Sequence, residues 1–206
     1  YEEGMIERTA EEIGGILAEN AIEYEIIFVD DGSKDKTWEK IRNLSQKDKH
    51  IRGIGFSRNF GKEAAMLAGL AEAKGAACVI IDCDLQHPPE KIVEMYRLWE
   101  NGAEVVEAVK TSRGKESFLH RKSAQLFYRL ISKACKVDMQ NASDFKLLDR
   151  KAVDALLSMK EKNAFFRALS SWVGFKTARV EFEVRERTVG QSKWSTWSLV
   201  KYAFNN

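Results

Sequence analysis

The feature that most constrains this chain is a short apolar run that ends in two carboxylates. Residues 79–81 are Val, Ile and Ile; Asp82 and Asp84 follow, and a Pro pair stands at residues 88–89. An apolar run with no polar face predicts a strand that is buried on both sides in a mostly parallel sheet. Because the Pro pair ends the extended backbone before a helix begins, we expect functional side chains at the end of this strand.

Asp82 and Asp84 predict a site for a divalent cation. In extended backbone, side chains two residues apart point the same way, so the two carboxylates are expected to converge, while Cys83 points away and packs. Converging carboxylates repel each other unless a cation lies between them. Hard oxygen ligands select Mg²⁺ or Mn²⁺, ions that often hold phosphate oxygens as well. An Asp-x-Asp pair alone is also compatible with a solvated strand end.

The order of the predicted elements indicates the fold class. Strands, polar loops and helices alternate, which predicts an α/β fold with a mostly parallel, doubly wound sheet, helices on both faces and a site at the carboxyl ends of the strands. The chain from 110 to 117 is interpreted as a mobile loop, and the last strand as an edge strand. The predicted strands are 25–29, 51–56, 79–81, 104–109, the end of 141–149, and 177–187; the predicted helices include 5–18, 89–100, 118–136, 151–160, 163–172 and 195–204.

Composition excludes some classes of function. The 206 residues are 44% hydrophobic and 31% charged, as in a soluble globular domain. The 33 basic and 31 acidic residues nearly cancel, so the net charge gives no reason to expect a nucleic-acid partner. The longest uncharged apolar run, residues 64–71, is shorter than the roughly 20 residues that cross a bilayer. The odd number of cysteines, three, suggests a reducing compartment.

The strand at 25–29 ends in a second acidic loop. Asp30 and Asp31 could accept hydrogen bonds from a ribose hydroxyl or a base N–H, as an acidic residue does in dinucleotide-binding folds. Alternatively, the segment from Asp31 to Ser33 caps the next helix, with Asp35 or Ser33 as the N-cap. Both interpretations stay open.

Arg58 and Lys62 flank the start of a further helix, which predicts an anion site; the alternative is a solvated charge pair. There is no Walker-type glycine loop and no Gly-x-Gly-x-x-Gly, which argues against a kinase or a nicotinamide enzyme. A dehalogenase-type phosphatase would need Thr or Val where Gln86 stands. His87, which precedes Pro, is interpreted as a residue that forms a hydrogen bond in a turn, not as a metal ligand.

Five motifs in order resemble those of glycosyltransferase family 2, and more narrowly its polyprenyl-phosphate hexosyltransferases, the bactoprenol glucosyltransferases and dolichol-phosphate mannose synthases. The resemblance covers nearly the whole chain and implies a GT-A type fold. The motifs lie at residues 30–37, 57–63, 82–90, 143–150 and 190–194.

The resemblance also predicts how the chain is organised. We expect a single catalytic domain over residues 1–206, in which 187–206 form an active-site loop and an interfacial helix. The first strand of the family, which ends in Pro-x-Tyr-Asn-Glu-Glu, is represented only by Tyr1–Glu3, and bacterial members continue into two membrane helices that this chain does not include. Aromatic residues between 194 and 204 suit a helix on lipid headgroups, and an ordinary core-packing helix is the alternative.

The resemblance implies a metal-dependent, inverting transfer of a hexose. In the family, the carboxylates that correspond to Asp82 and Asp84, with Gln86 nearby, hold Mg²⁺ or Mn²⁺ on the diphosphate of a nucleotide sugar. The expected donor is UDP-glucose, and the expected acceptor is a polyprenyl phosphate such as undecaprenyl phosphate, at the cytoplasmic face of the cell membrane. A GDP-mannose-dependent mannosyltransferase and a non-catalytic nucleotide-sugar-binding domain remain alternatives, and a homo-oligomer is compatible with the sequence.

The acceptor phosphate is expected to meet basic residues. Its second pKa is about 6, so its oxygen is anionic near neutral pH and needs no strong general base. Arg113, Arg121 and Lys193 are the candidates that desolvate and aim it; for Arg121, a membrane-facing surface charge is the alternative. Asp144 is expected to orient an arginine or to contact the acceptor.

Overall fold

The computed structural model describes residues 3–112, 142–159 and 174–185. Predicted helices 118–136, 163–172 and 195–204 and the motif at 190–194 lie outside these residues. The described helices are α1 (Ile6–Glu19), α2 (Thr37–Lys47), α3 (Lys62–Glu72), α4 (Lys91–Glu100) and α5 (Arg150–Ser158), and the strands are β1 (Ile26–Asp30), β2 (Ile51–Gly55), β3 (Ala77–Ile80), β4 (Val105–Ser112), β5 (Ala142–Asp149) and β6 (Thr177–Glu183).

The described strands form two groups. β1 and β2 are parallel, so that Asp30 pairs with Gly55 at their common carboxyl end. The other four strands have the order β3-β5-β4-β6, in which β4 and β6 are parallel and β5 runs antiparallel to both β3 and β4. The α/β class is confirmed. The parallel pairing predicted from the sequence holds for two strand pairs, whereas β5 makes the larger sheet mixed, because apolar patterns indicate burial but not strand direction.

The direction of β5 determines which residues meet at the site. Ile80, the last residue of β3, pairs with Lys146 of β5. Since β5 runs towards the start of β3, Asp144 lies two residues beyond this pair, at the edge where the chain continues from Ile80 to Asp82. The antiparallel strand therefore brings a carboxylate from a distant part of the sequence to the end of β3.

Helices cover both faces of the four-stranded sheet. Val106 and Leu147 pack against α1 and α4, whereas their neighbours Val105 and Leu148 pack against α3 and α5. Consecutive residues of a strand point to opposite faces, so both faces of the central strands are buried. The expected helices on both faces are confirmed.

The margins of the sheet refine the predicted element bounds. β6 stands at one end of the strand order and buries Val180 and Phe182 between more exposed residues, as predicted for an edge strand. β4 continues through Ser112, so the beginning of the loop predicted from residue 110 is strand instead; pairing with β6 extends it. Among the described helices, none has the length and apolarity that a membrane span requires.

Candidate active site

The chain turns at Cys83 and Asp84, so the two carboxylates after β3 do not lie on one extended segment. The strand ends at Ile80, Leu85 adopts a left-handed conformation with φ +55°, and the Gln86 backbone N–H donates to Asp84 Oδ1 at 3.1 Å. The premise that Asp82 and Asp84 project from one extended segment is therefore wrong. The turn leaves the Asp82 side chain 37% exposed and buries Asp84.

Helix α1 contacts this turn on the side of the hydrophobic core. The Thr9 hydroxyl, which is buried, donates to the Cys83 carbonyl at 2.9 Å. Cys83 also packs against the cluster that contains Phe28 and Ile41, as predicted for a residue that points away from the carboxylates. Contacts on the core side thus fix the backbone that carries Asp82.

Lys62, the first residue of α3, joins two carboxylates across the sheet edge. Its Nζ lies 2.7 Å from Asp82 Oδ1 and 2.8 Å from Asp144 Oδ2. Burial disfavours the charged amine, yet the two carboxylates outweigh burial and raise the pKa of Lys62 above its ordinary value. The sequence suggested that Lys62 contacts an external anion; in the structure its ammonium neutralises the protein's own acids.

His87 lies next to Asp82, in a pocket lined by aromatic side chains. Its side chain is 7% exposed, stacks on Phe145 with ring centroids 5.3 Å apart, and meets Phe182 edge to face. Burial lowers the pKa of the imidazole below its ordinary value, although the Asp82 carboxylate opposes this shift. The lowered pKa favours the neutral imidazole near pH 7. Nδ1 lies 4.0 Å from Asp82 Oδ2 and has no hydrogen-bond partner among the described residues. The sequence predicted that His87 forms a hydrogen bond in a turn; it did not predict that the ring is buried against Phe145 and Phe182.

The acidic cluster suits a cation but is not arranged as a finished metal site. Within residues 3–112, 142–159 and 174–185, no group of three or more His, Cys, Asp or Glu side chains is placed to hold a metal ion. The chemistry nevertheless fits a divalent ion, because Asp82 and Asp144 already share one cation, and Asp84 lies close enough to influence His87 electrostatically. Carboxylate oxygens are the ligands that Mg²⁺ and Mn²⁺ prefer.

Asp31 holds the loop after β1 against the loop after β2. Its carboxylate accepts hydrogen bonds from the Phe60 backbone N–H at 2.7 Å, the Gly61 backbone N–H at 3.0 Å and the Asn59 side-chain amide at 2.7 Å. Gly32 permits the contact: its φ is +69°, and an added Cβ would lie 2.5 Å from the Arg58 carbonyl carbon. The two loops therefore form one continuous wall beside Lys62.

The remaining predicted residues of this wall have local partners. Asp30 is buried and accepts from the Ser33 backbone N–H at 3.2 Å. Asp35 accepts hydrogen bonds from both the backbone N–H and the hydroxyl of Thr37, the first residue of α2. The N-cap of α2 is Lys36, without a side-chain cap, so the interpretation of Asp35 or Ser33 as the N-cap is wrong. The Arg58 guanidinium lies 4.7 Å from the centre of the Phe60 ring.

The sequence interpretation also missed a buried ion pair beside the site. Lys146 Nζ lies 2.8 Å from Glu107 Oε1, with side chains 1% and 10% exposed. Lys146 and Asp144 are two residues apart on β5 and therefore share a face of the sheet. Glu107 lies within the otherwise apolar run 105–109, and Lys146 lies between Phe145 and Leu147; a charged residue between apolar neighbours was the available signal.

Of the other predicted site residues, Gln86 lies within the described part of the chain. The Gln86 carbonyl accepts from the Arg185 backbone N–H at 3.0 Å, and the Arg185 guanidinium binds Glu12 and Glu90, which ties the turn to the end of β6. Arg113, Arg121 and Lys193 lie outside the described residues.

Comparison with solved structures supports the fold assignment. Glucosyl-3-phosphoglycerate synthase of Mycobacterium tuberculosis, solved in complex with Mn²⁺, UDP-glucose and phosphoglyceric acid, matches with a TM-score of 0.65 over 98% of this chain and 72% of that chain. At 19% sequence identity this likeness shows the fold alone. The GT-A type expectation is confirmed.

Sequence comparison gives the family. An uncharacterized glycosyltransferase of Bacillus subtilis (strain 168), YkcC, is 42% identical over 99% of this chain and 64% of its own length. A prophage bactoprenol glucosyl transferase homolog of Escherichia coli (strain K12) is 41% identical over 86% of this chain and 58% of its own length. The chain thus spans less than two thirds of these relatives. The model of glycosyl transferase family 2 matches residues 2–157, which is more than half of the chain, and the chain therefore belongs to that family.

Proposed function

We propose that this glycosyltransferase domain transfers glucose from UDP-glucose to a polyprenyl phosphate, such as undecaprenyl phosphate, at the cytoplasmic face of the cell membrane. Relatives named bactoprenol glucosyl transferase, about 40% identical over 86% of the chain, support this acceptor class. The observation that carries the proposal is the acidic cluster of Asp82 and Asp144 around one cation, at the carboxyl end of β3. Anionic substrates can be held there only through positive charge.

The donor is proposed to lie along the wall formed by the loops after β1 and β2. Asp30, Asp31, Ser33 and Arg58 would contact the nucleoside, since the Asp31 hydrogen bonds fix the loop backbone in advance of binding. A carboxylate oxygen that accepts one hydrogen bond retains capacity for another. A pre-formed wall lowers the entropic cost of ordering the loops around a ligand.

The diphosphate is proposed to face the carboxylates after β3. Mg²⁺ or Mn²⁺ held by Asp82, Asp84 and Gln86 would neutralise the charge that develops on the departing nucleoside diphosphate. Lys62, at the start of α3, supplies a second positive charge at the same place, and it becomes free to face phosphate oxygens when Asp82 has another partner.

The acceptor is proposed to approach from the side of β5. Asp144, which is buried and paired with Lys62, would orient the basic residues that aim the lipid phosphate. Arg113, Arg121 and Lys193 are the proposed residues for that contact. Because the phosphate oxygen is already anionic, it can displace the nucleotide directly and invert the configuration of the sugar.

A transfer assay tests the proposal. The chain is incubated with radiolabelled UDP-glucose, Mn²⁺ and undecaprenyl phosphate in detergent, and label in the lipid fraction is counted for wild type, Asp84→Asn and the control Asp48→Asn. Asp48 is partly exposed and pairs with His50, away from the cluster. We expect at least about a hundred-fold loss in Asp84→Asn, as for removal of one group that stabilises developing charge, and no loss in the control.

Three outcomes would change the proposal. Equal transfer by wild type and Asp84→Asn would show that the acidic cluster does not carry the reaction. A thermal shift with GDP-mannose that exceeds the shift with UDP-glucose, both with Mn²⁺, would replace glucose by mannose and leave the rest of the mechanism in place. Binding of nucleotide sugars without transfer to any polyprenyl phosphate would favour a binding domain.

A further inference from the structure

The pocket that holds His87 gives this residue one fixed orientation. Phe145 of β5 stacks on the imidazole, and Phe182 of β6 meets it edge to face, with ring centroids 5.3 and 5.4 Å from that of His87. The two phenylalanines also contact each other, 5.9 Å apart. Packing on two sides leaves the ring little freedom to rotate, so the direction of Nδ1 is set by the fold.

A buried nitrogen without a partner is costly. Leaving a polar atom unsatisfied in the interior forfeits the hydrogen bonds it would make to water, and most such atoms in proteins find a partner. For His87 Nδ1, no partner lies within hydrogen-bond distance among the described residues, although Asp82 Oδ2 is 4.0 Å away. A buried atom without a partner calls for an explanation, and a role in another state of the protein is one such explanation.

Lys62 explains why the hydrogen bond is not made in this state. Its Nζ lies 2.7 Å from Asp82 Oδ1 and 3.0 Å from Asp82 Oδ2, so both oxygens face the ammonium. A movement of the carboxylate by about an ångström towards the imidazole would bring Oδ2 to hydrogen-bond distance of Nδ1.

We propose that His87 is a positioning residue for Asp82: its imidazole donates a hydrogen bond from Nδ1–H to Asp82 Oδ2 and holds the carboxylate towards the divalent cation. This inference rests on the proposed divalent site. Carboxylates that bind metal ions in proteins are themselves hydrogen-bonded, and loss of such a partner typically lowers metal affinity about 10–100-fold. The alternative is that His87 only fills an aromatic pocket, a role that phenylalanine could take.

Three substitutions separate these roles. His87→Phe fills the pocket without a nitrogen. His87→Asn can place an amide N–H near the position of Nδ1, and His87→Gln places it near Nε2. His50→Phe is the matched control, because His50 forms a hydrogen bond with an aspartate, Asp48, at 2.8 Å, is partly exposed, and precedes β2 at the end opposite to Gly55.

The measurement is the affinity for Mn²⁺ at fixed neutral pH in the presence of UDP, read from the electron paramagnetic resonance signal of free Mn²⁺. We expect affinity to fall about ten-fold or more in His87→Phe and His87→Gln, and to stay within a few-fold of wild type in His87→Asn and His50→Phe. If His87→Phe does not fold, the contrast between the asparagine and glutamine variants gives the same answer.

Each other result contradicts the inference. Wild-type affinity in His87→Phe or His87→Gln would show that no hydrogen bond from this ring supports the cation. Equal weakening in the asparagine and glutamine variants would assign the effect to lost ring packing. Failure of wild type itself to bind Mn²⁺ with UDP would remove the proposed divalent site, whereas binding by wild type and variants alike would remove only the role of His87.

Discussion

Replacement of Lys62 by glutamine should make the protein less stable and at the same time improve its binding of Mn²⁺. The ammonium of Lys62 neutralises Asp82 and Asp144 at 2.7 and 2.8 Å, so its loss leaves two carboxylates facing each other. The Lys62 side chain is 41% exposed, and ion pairs at such sites contribute about 0.2–1 kcal/mol each. We expect a cost of about 1–2 kcal/mol, or about 2–8 °C in Tm for a chain of this size.

The gain in Mn²⁺ affinity follows from removing a competing cation. Two unit charges 4 Å apart interact with about 4 kcal/mol at an effective dielectric constant of 20, and exposure of Lys62 to solvent reduces this to about 1–2 kcal/mol. Since about 1.4 kcal/mol corresponds to a tenfold change, Mn²⁺ should bind roughly 5–30-fold more tightly to Lys62→Gln without nucleotide. Calorimetric titration measures the affinity, and thermal unfolding without metal measures the stability.

Lys40→Gln is the control for this experiment. Lys40 pairs with Glu7 at 2.9 Å between α1 and α2, and neither residue is a candidate site residue. The variant should keep wild-type Mn²⁺ affinity. Unchanged or weaker Mn²⁺ binding in Lys62→Gln would refute the reasoning, because it would mean that Lys62 and the divalent ion do not compete for Asp82.

Three further predictions concern stability and are read from chemical denaturation. Gly32→Ala should destabilise by more than about 1 kcal/mol, because the residue has φ +69° and its Cβ would meet neighbouring backbone at 2.5 Å, whereas Gly15→Ala, in α1 with open space around it, should be neutral or stabilising. Lys146→Met should cost at most about 3–5 kcal/mol, because it removes the buried cation 2.8 Å from Glu107, whose ion pair with the exposed Arg179 is longer at 3.8 Å; addition of Glu107→Leu should recover much of that loss. Burial opposes ionisation of Glu25, but hydrogen bonds from the Lys74 backbone and Arg52 lower its pKa below 4.5; its contribution is therefore present above pH 4.5 and lost as pH falls through the folded pKa, and Glu25→Gln should reduce this acid dependence.

The sequence predicted the described helices and strands well because their signals are local. Ile13 and Leu17 of α1 recur at helical spacing and both enter the core, and the alternation in β6 buries Val180 and Phe182 at the sheet edge. Each pattern reports which face of an element is buried, and that information lies within a few consecutive residues.

The direction of β5 and the contacts at the site could not be predicted in this way. The antiparallel pairing of Ile80 with Lys146 joins segments 66 residues apart, and no local pattern encodes it. For the same reason the sequence, which indicated an anion site or a solvated charge pair at Arg58 and Lys62, did not reveal the position of Lys62 between Asp82 and Asp144. That position depends on three separate elements meeting at one point.

The turn after β3 shows a second limit. An argument from residue spacing assumed that the backbone stays extended from Asp82 to Asp84, but the chain leaves the strand at Ile80. Asp84 then accepts a hydrogen bond from the Gln86 backbone at 3.1 Å, a local contact that aspartate often makes in turns. The residue types indicated the chemistry of the site, and the turn determined its geometry.

The most direct test of the central claim is a calorimetric titration of UDP-glucose into the wild-type chain with Mn²⁺ and, separately, with EDTA. A divalent ion held by Asp82 and Asp84 on the diphosphate predicts binding at least about ten-fold tighter with Mn²⁺, and loss of this difference in Asp82→Asn. Equal affinity with and without Mn²⁺ in the wild type, or a full Mn²⁺ effect in Asp82→Asn, would contradict the claim.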